Sequence, residues 1–197
     1  MKTSKFLFTT AVAGALLMSC SNDDEAPDDV NEEEVITTMT ITLVPEGGGT
    51  TVTLQTQDLD GDGPEEPDVT ISGSLSENTT YNGSIVLLNE TEDPAEEVNE
   101  EIEGEAAEHQ FFFEVGIGLN LNVAYADDES DYVSAETGEN FTTTNPVGLV
   151  FTATTTDAGT GTFTVTLRHE PTKPNDGTTG DAGGETDITE TFDLVVE

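Results

Sequence analysis

Acidic side chains at alternate positions in the segment 58–68 form the motif with the clearest chemistry in this chain. The candidate ligands are Asp58, Asp60, Asp62, Glu65, Glu66 and Asp68. Carboxylate oxygens at this spacing can converge on a hard cation, and Gly63 at the sixth position permits the sharp turn of a calcium loop. The twelfth position is Val69 rather than glutamate, so the later carboxylates would have to complete the site. The segment therefore predicts a calcium site, and the alternative is an acidic hairpin loop of turn-forming residues.

The two histidines of the chain, His109 and His169, are a second candidate. Both share the strand parity of neighbouring apolar residues, which predicts that both point inward. If they meet across the core of a β-sandwich with Glu108 or Glu170, their nitrogens and a carboxylate oxygen would suit zinc or another transition metal. The alternative for His169 is a hydrogen-bonded core histidine at the end of a strand.

Positive charge after residue 20 is confined to the run 167–173. Arg168 and Lys173 are the only arginine and lysine in that part of the chain. They could hold an anionic group or pin the acidic loop 181–187, because guanidinium and ammonium groups bind oxyanions. Parity places Arg168 on the outward face, where an ion pair with a nearby carboxylate contributes only modest stability.

Signatures of catalysis do not occur in the sequence. It has no glycine-flanked nucleophilic serine, no glycine-rich phosphate loop before a helix and no paired-histidine zinc motif on one helix. Carboxylates are so numerous that no particular glycosidase pair stands out. We therefore expect neither a catalytic residue nor an enzymatic activity, and a hydrolase is the last of the classes considered.

The first twenty residues have the layout of a bacterial lipoprotein signal. Two lysines precede an apolar run that ends at Cys20, the only cysteine of the chain. The run is too short for a permanent membrane span, and a lone thiol has no disulfide partner, which predicts cleavage before Cys20 and acylation of its sulfur. The predicted organisation is a signal peptide at 1–19, an acidic flexible tether at 20–34 and a folded domain at 35–197.

The excess of carboxylates restricts the classes of partner. The chain has 42 acidic and 4 basic residues, and loss of Lys2 and Lys5 with the leader would change its formal net charge from −38 to −40. Nucleic acids and anionic bilayer surfaces are excluded, because binding to them depends on clustered lysine and arginine. We expect the lipid to supply the contact with the outer membrane. We also expect the partner to be a protein or a polysaccharide and the protein itself to be a monomer.

Alternating apolar residues predict about nine short strands, which favour a single antiparallel β-sandwich of immunoglobulin-like type. One segment departs from this period: Val98, Ile102 and Ala106 recur at every fourth residue within the segment 94–108. This spacing predicts a short amphipathic helix.

The segment that follows the helix allows two arrangements. A hairpin with Gly116, Ile117 and Gly118 as its loop places Val115 opposite Leu119 and keeps one apolar face. The alternative is an unbroken strand that bends at the glycines.

Several motifs resemble those of a group of small flavobacterial lipoproteins of the Bacteroidota. They are the signal that ends at Cys20 and the runs 58–64, 79–84, 108–113 and 167–171. Ser21 and the acidic cluster after it resemble the signal by which many Bacteroidota lipoproteins reach the outer face of the outer membrane. The resemblance implies an outer-membrane lipoprotein exposed at the cell surface, with the periplasmic face as the alternative, and it brings no activity with it. Some members are labelled as having a type 1 periplasmic-binding fold, which needs repeated strand–helix units that this sequence lacks.

These observations together predict a lipid-anchored lipoprotein of the cell envelope that acts as a binding or interaction module and is stabilised by calcium. The alternative is a purely structural component of the envelope.

Overall fold

A computed structural model describes residues 34–60 and 66–197 of the chain. Strands contain 48% of the described residues and helices contain 8%, so the protein is mainly β, as predicted. The strands are β1 (Thr38–Pro45), β2 (Val52–Gln57), β3 (Asp68–Ile71), β4 (Thr80–Asn89), β5 (Glu96–Glu97), β6 (His109–Val115), β7 (Leu121–Tyr125), β8 (Val150–Thr155), β9 (Gly159–His169) and β10 (Glu185–Val196). The helices are α1 (Asn99–Gly104) and α2 (Thr179–Ala182), and a 3₁₀ turn spans Glu129–Asp131. Within the described ranges, no helix has the length and apolar character to cross a bilayer.

The strands form two antiparallel sheets. The larger sheet has the order β3-β2-β1-β4-β8-β7, with β5 paired to β4, and the smaller sheet has the order β10-β9-β6. The calcium-loop segment connects β2 to β3, which pair as antiparallel neighbours. The predicted antiparallel β-sandwich with a short helix is confirmed.

Alternation along the strands decides which side chains enter the core. In β1, Met39, Ile41 and Leu43 are fully buried, whereas Thr40 and Thr42 between them are partly exposed. The same period in both sheets supplies most other members of one apolar cluster, and connecting segments supply the rest. Burial of each large apolar side chain stabilises the fold by roughly 1.5–3 kcal/mol.

The segment between β4 and β6 carries the predicted apolar stripe. Val98, Ile102 and Ala106 are all buried in the core. The helix α1 is shorter than the predicted segment 94–108, because β5 pairs with β4 instead of being helical. The side chain of Asn99 then continues that pairing by bonding two backbone groups of β4.

The predicted hairpin at residues 116–118 is wrong. Strand β6 pairs with β9 in the smaller sheet and β7 pairs with β8 in the larger one, so the chain changes sheet here. Gly118 has φ +97°, and a Cβ atom at Gly116 would overlap the side chain of Thr162. Side chains that point into a sandwich have the same alternation whether their strands are hairpin neighbours or lie in opposite sheets. The apolar pattern alone therefore could not distinguish the two arrangements.

Candidate metal centre

The two histidines lie side by side on neighbouring strands of the smaller sheet. His109 begins β6, His169 ends β9, and the antiparallel register pairs them directly. The residues are 0% and 6% exposed, and the centroids of their rings are 4.5 Å apart. Both side chains point inward, as parity predicts, but they meet within one sheet rather than across the core.

Glu34, just before β1, places a carboxylate between the two rings. Its Oε1 atom is 2.6 Å from Nε2 of His109 and 3.7 Å from Nδ1 of His169, and the glutamate side chain is 2% exposed. Within the described part of the chain, Nδ1 of His169 is buried without a hydrogen-bond partner, and the carboxylate of Asp187 lies beside that of Glu34. The residue that the sequence assigned to the end of the tether thus contributes to a buried polar cluster of the domain.

The turn after α1 adds further carboxylates around the histidines. One candidate ligand atom from each of four residues lies within 4.8 Å of the others, and these residues are Glu34, Glu105, His109 and His169. A second set that meets the same distance limit consists of Glu108, His169 and Glu170. We call the first set the buried cluster and Glu108 with Glu170 the rim carboxylates. Such a cluster of histidine and acidic residues could hold a metal ion.

Both ring nitrogens of His109 face oxygen atoms. Nδ1 is 3.3 Å from the backbone oxygen of Glu105, and Nε2 faces the Glu34 carboxylate. An imidazole that donates from both nitrogens is the protonated, cationic form. Without a metal, this arrangement of oxygen atoms suits an imidazolium paired with the Glu34 carboxylate.

The pKa values of this pair shift in opposite directions. Burial by itself would lower the pKa of His109, but the hydrogen bond and charge of Glu34, together with the charge of Asp187, raise it above its ordinary value. Burial would raise the pKa of Glu34, yet the hydrogen bond and charge of His109 lower it to about 2. Each group thus favours the charged form of the other.

Lys173 fixes the backbone next to the buried cluster. Its Nζ atom donates to the carbonyl oxygens of Ala106 at 2.7 Å and His109 at 2.6 Å. The same atom is 3.1 Å from Oε1 of Glu129, and the lysine and glutamate side chains are 5% and 1% exposed. Lys173 is therefore an internal crosslink, whereas the sequence also allowed it to hold an anion or the loop 181–187.

Arg168 points to the opposite face of the smaller sheet from the histidines. One of its terminal guanidinium nitrogens donates to the backbone oxygen of Gly184 at 3.3 Å, within the acidic segment 181–187. Its side chain also lines a cavity of about 380 Å³ together with threonines of β9 and β10. Arg168 thus contacts this segment through a carbonyl oxygen, and the use of its charge to hold an anion or the acidic loop stays a prediction.

The described carboxylates of the predicted calcium loop lie after the end of β2 and around the start of β3. Asp58, Asp60, Glu66 and Asp68 line a cavity of about 190 Å³. The other two candidate ligands, Asp62 and Glu65, lie outside the described residues, as does Cys20. Among the described residues, the sets whose ligand atoms converge within 4.8 Å do not include this loop.

Sequence reasoning missed two members of the buried cluster, Glu34 and Glu105. Glu34 ends a run of three glutamates, and nothing in its spacing separates it from its neighbours. Glu105 stands four residues before His109, a spacing that brings side chains together on a helix or a tight turn and could have drawn attention to it.

Comparison with known proteins adds no relative: no protein-family model matches the chain, and no curated protein or solved structure is significantly similar to it.

Proposed function

We propose that this protein is a lipoprotein of the bacterial cell envelope, anchored through an acylated Cys20, that acts as a binding or interaction module. The signal-like segment 1–20 supports the anchor, and the acidic run after it supports an outward-facing position on the outer membrane. The mainly β domain supports the role of a module carried by that anchor. No step of this proposal requires catalysis.

The observation that best supports an interaction role is the outer face of the larger sheet, on which five adjacent strands carry no charged outward side chain. The outward side chains of β2, β1, β4, β8 and β7 carry no charge, although 23% of the chain is charged. They are Thr53, Gln55, Gln57, Thr38, Thr40, Thr42, Val44, Thr80, Asn82, Ser84, Val86, Leu88, Val150, Thr152, Thr154, Asn122 and Ala124. Carboxylates border this surface: Asp68 of β3 pairs with Gln57, Glu97 of β5 pairs with Leu88, and Glu90 accepts from Thr38 and Gln57. Directly paired residues of neighbouring strands share one face of a sheet, so these residues form one surface, which we call the neutral face.

The neutral side chains of this surface explain why it suits a partner. Burying an unpaired carboxylate in an interface is costly, whereas hydroxyl, amide and valine side chains lose less on contact and can pair with peptide or sugar groups. Val44, Val86 and Val150 are 38–46% exposed on this face and add apolar area. A protein or a neutral polysaccharide is therefore the kind of partner that we propose.

Calcium is the ion that we propose for the loop between β2 and β3. The four described carboxylates at one cavity support it, because calcium prefers several oxygen ligands. Its role would be to reduce repulsion among these carboxylates and so stabilise the hairpin that borders the larger sheet.

Three measurements on the producing bacterium test this function. Labelling with a radioactive fatty acid should mark the wild-type protein and not Cys20→Ala, and protease added to intact cells should remove the domain if it faces outward. A photo-crosslinking amino acid at Ser84, in the centre of the neutral face, should form adducts in cells, whereas the same amino acid at the exposed Thr191 on the other sheet should not.

The outcomes separate the proposed classes. Adducts with a protein, or co-sedimentation of the wild type with a neutral envelope polysaccharide that Ser84→Asp abolishes, would support the interaction module. A lipidated protein that forms neither contact would instead be a structural envelope component. Absence of lipid on Cys20 would overturn the proposed location.

A further inference from the structure

We infer that the buried cluster is a binding site for one divalent transition-metal ion of the zinc class, held by His109, His169, Glu34 and Glu105. The inference is independent of the neutral face and of the calcium loop. It extends beyond the pair of histidines that the sequence suggested, because two of the four ligands come from segments that precede β1 and β6.

The geometry of the four side chains suits such an ion. All four candidate ligand atoms already lie within 4.8 Å of one another. Neighbouring ligand atoms in a tetrahedral zinc site with bonds near 2 Å are about 3.3 Å apart. The ion would separate the 2.6 Å contact between Glu34 and His109 and draw the more distant ligands inward, which requires side-chain movement but no rearrangement of the strands.

An unpaired nitrogen indicates that the cluster lacks a partner. Nδ1 of His169 is buried without a hydrogen bond in the described part of the chain, and its side chain is 8% exposed. A buried polar atom without a partner costs roughly 1–3 kcal/mol, so such atoms are uncommon in folded proteins. An ion bound between His169 and the Glu34 carboxylate, which lies 3.7 Å away, would give this nitrogen its partner.

The surroundings of His109 are those of a metal-binding histidine. Its Nδ1 atom faces the backbone oxygen of Glu105, an arrangement that fixes the tautomer and leaves the Nε2 lone pair for an ion. Lys173 also bonds the carbonyl oxygen of His109 at 2.6 Å and so holds the start of β6 in place. A ligand positioned in this way binds with little loss of side-chain freedom.

The ligand types select the class of ion. Two imidazole nitrogens and two carboxylate oxygens favour zinc and its neighbours, whereas calcium and magnesium prefer sites made only of oxygen ligands. The rim carboxylates provide an access route, since Oε2 of Glu108 is 4.0 Å from Nε2 of His169 and its side chain is 57% exposed. An ion captured at the rim would meet His169 first and the buried ligands next.

Zinc titration of the chain 21–197 tests the inference. This chain keeps every described residue, contains no cysteine and is to be purified without a histidine tag. Calorimetry should show one equivalent of zinc that excess calcium does not displace, and cobalt should give the visible absorption of a four-coordinate complex. His169→Gln and Glu34→Gln should each weaken zinc binding by about 10- to 100-fold, whereas the exposed Glu114→Gln on β6 should leave it unchanged.

Circular dichroism of each variant shows whether the variant is folded. If His169→Gln does not fold, Glu34→Gln decides the question, because Glu34 lies outside every strand. Failure of the wild type to bind zinc, or equal binding by wild type and Glu34→Gln, overturns the inference.

Discussion

Lys173 and Glu129 form an ion pair inside the domain, with 3.1 Å between Nζ and Oε1. The lysine also bonds two backbone carbonyl oxygens, and the glutamate accepts from the side-chain amide of Asn145. Lys173 thus joins the turn after α1 and the start of β6 to the 3₁₀ turn that contains Glu129. One of the two basic residues that follow Cys20 is therefore used to hold the structure together.

Replacing Lys173 by methionine should destabilise the domain by about 3 kcal/mol, because the charge of Glu129 would stay buried without its cation. Urea unfolding followed by circular dichroism measures the change. The double variant Lys173→Met/Glu129→Gln should recover part of the loss, since it removes the unpaired charge. A double variant less stable than Lys173→Met alone would contradict this account.

The pair of Glu34 and His109 should make the metal-free stability depend on pH. The Glu34 pKa is lowered, so its contribution is complete above its ordinary value of 4.5 and is lost as pH falls toward about 2. The His109 pKa is raised, so its contribution is complete below its ordinary value of 6.5 and is lost as pH rises through the shifted value. The stabilisation should therefore be greatest between these two ordinary values.

Urea unfolding in the presence of a chelator at about pH 3, 5.5 and 8 measures this dependence. Glu34→Gln is the reference, because the repulsion among the other carboxylates is nearly the same in both proteins. The stability difference between wild type and Glu34→Gln should be largest at the middle pH. A difference that is constant across the range would show that the two groups do not titrate as a pair.

Gly83 in β4 should not tolerate a side chain. A Cβ atom at this position would overlap the buried ring of Phe151, which is its direct partner on β8. Gly83→Ala should therefore destabilise the domain by about 2 kcal/mol through overpacking. Gly180→Ala is the matched control, because no atom lies within 4 Å of its Cβ position, and its unfolding midpoint should stay close to that of the wild type.

Calcium should raise the melting temperature of the chain if the loop between β2 and β3 binds it. Thermal unfolding at millimolar calcium is to be compared with the same concentration of magnesium, which controls for general screening of the carboxylates. Asp58→Asn/Asp60→Asn should remove the calcium-specific increase. Equal shifts with calcium and magnesium would remove the proposed site.

Zinc should slow hydrogen exchange in the segment immediately before β1. If Glu34 is a ligand, the ion ties residue 34 to β6 and β9, and the amides of residues 34–37 should open less often. Mass spectrometry of peptic peptides with and without zinc measures this. The peptide should show no zinc effect in Glu34→Gln, and a peptide from β8 should show none in either protein.

The sequence specified the fold class through a local property. Alternation of apolar residues along strands such as β1, β2, β4 and β8 follows from the two-residue period of a strand, so it identifies these strands and the side that each one buries. The buried stripe of Val98, Ile102 and Ala106 was predictable for the corresponding reason, from the period of a helix. The inward direction of both histidines also follows from this local period.

Tertiary structure decided which strands meet and therefore what surrounds the histidines. Period alone does not show that the chain crosses between sheets at Gly116 and Gly118, because strands in opposite sheets have the same inward parity. Nor can it show that Glu34 reaches His109, since 75 residues separate them along the chain. Contacts between residues so far apart in the sequence depend on the register of β6 with β9 and on the path of the chain into β1. The polar cluster is thus a consequence of strand pairing, whereas the sandwich that contains it can be predicted from the local alternation of side chains.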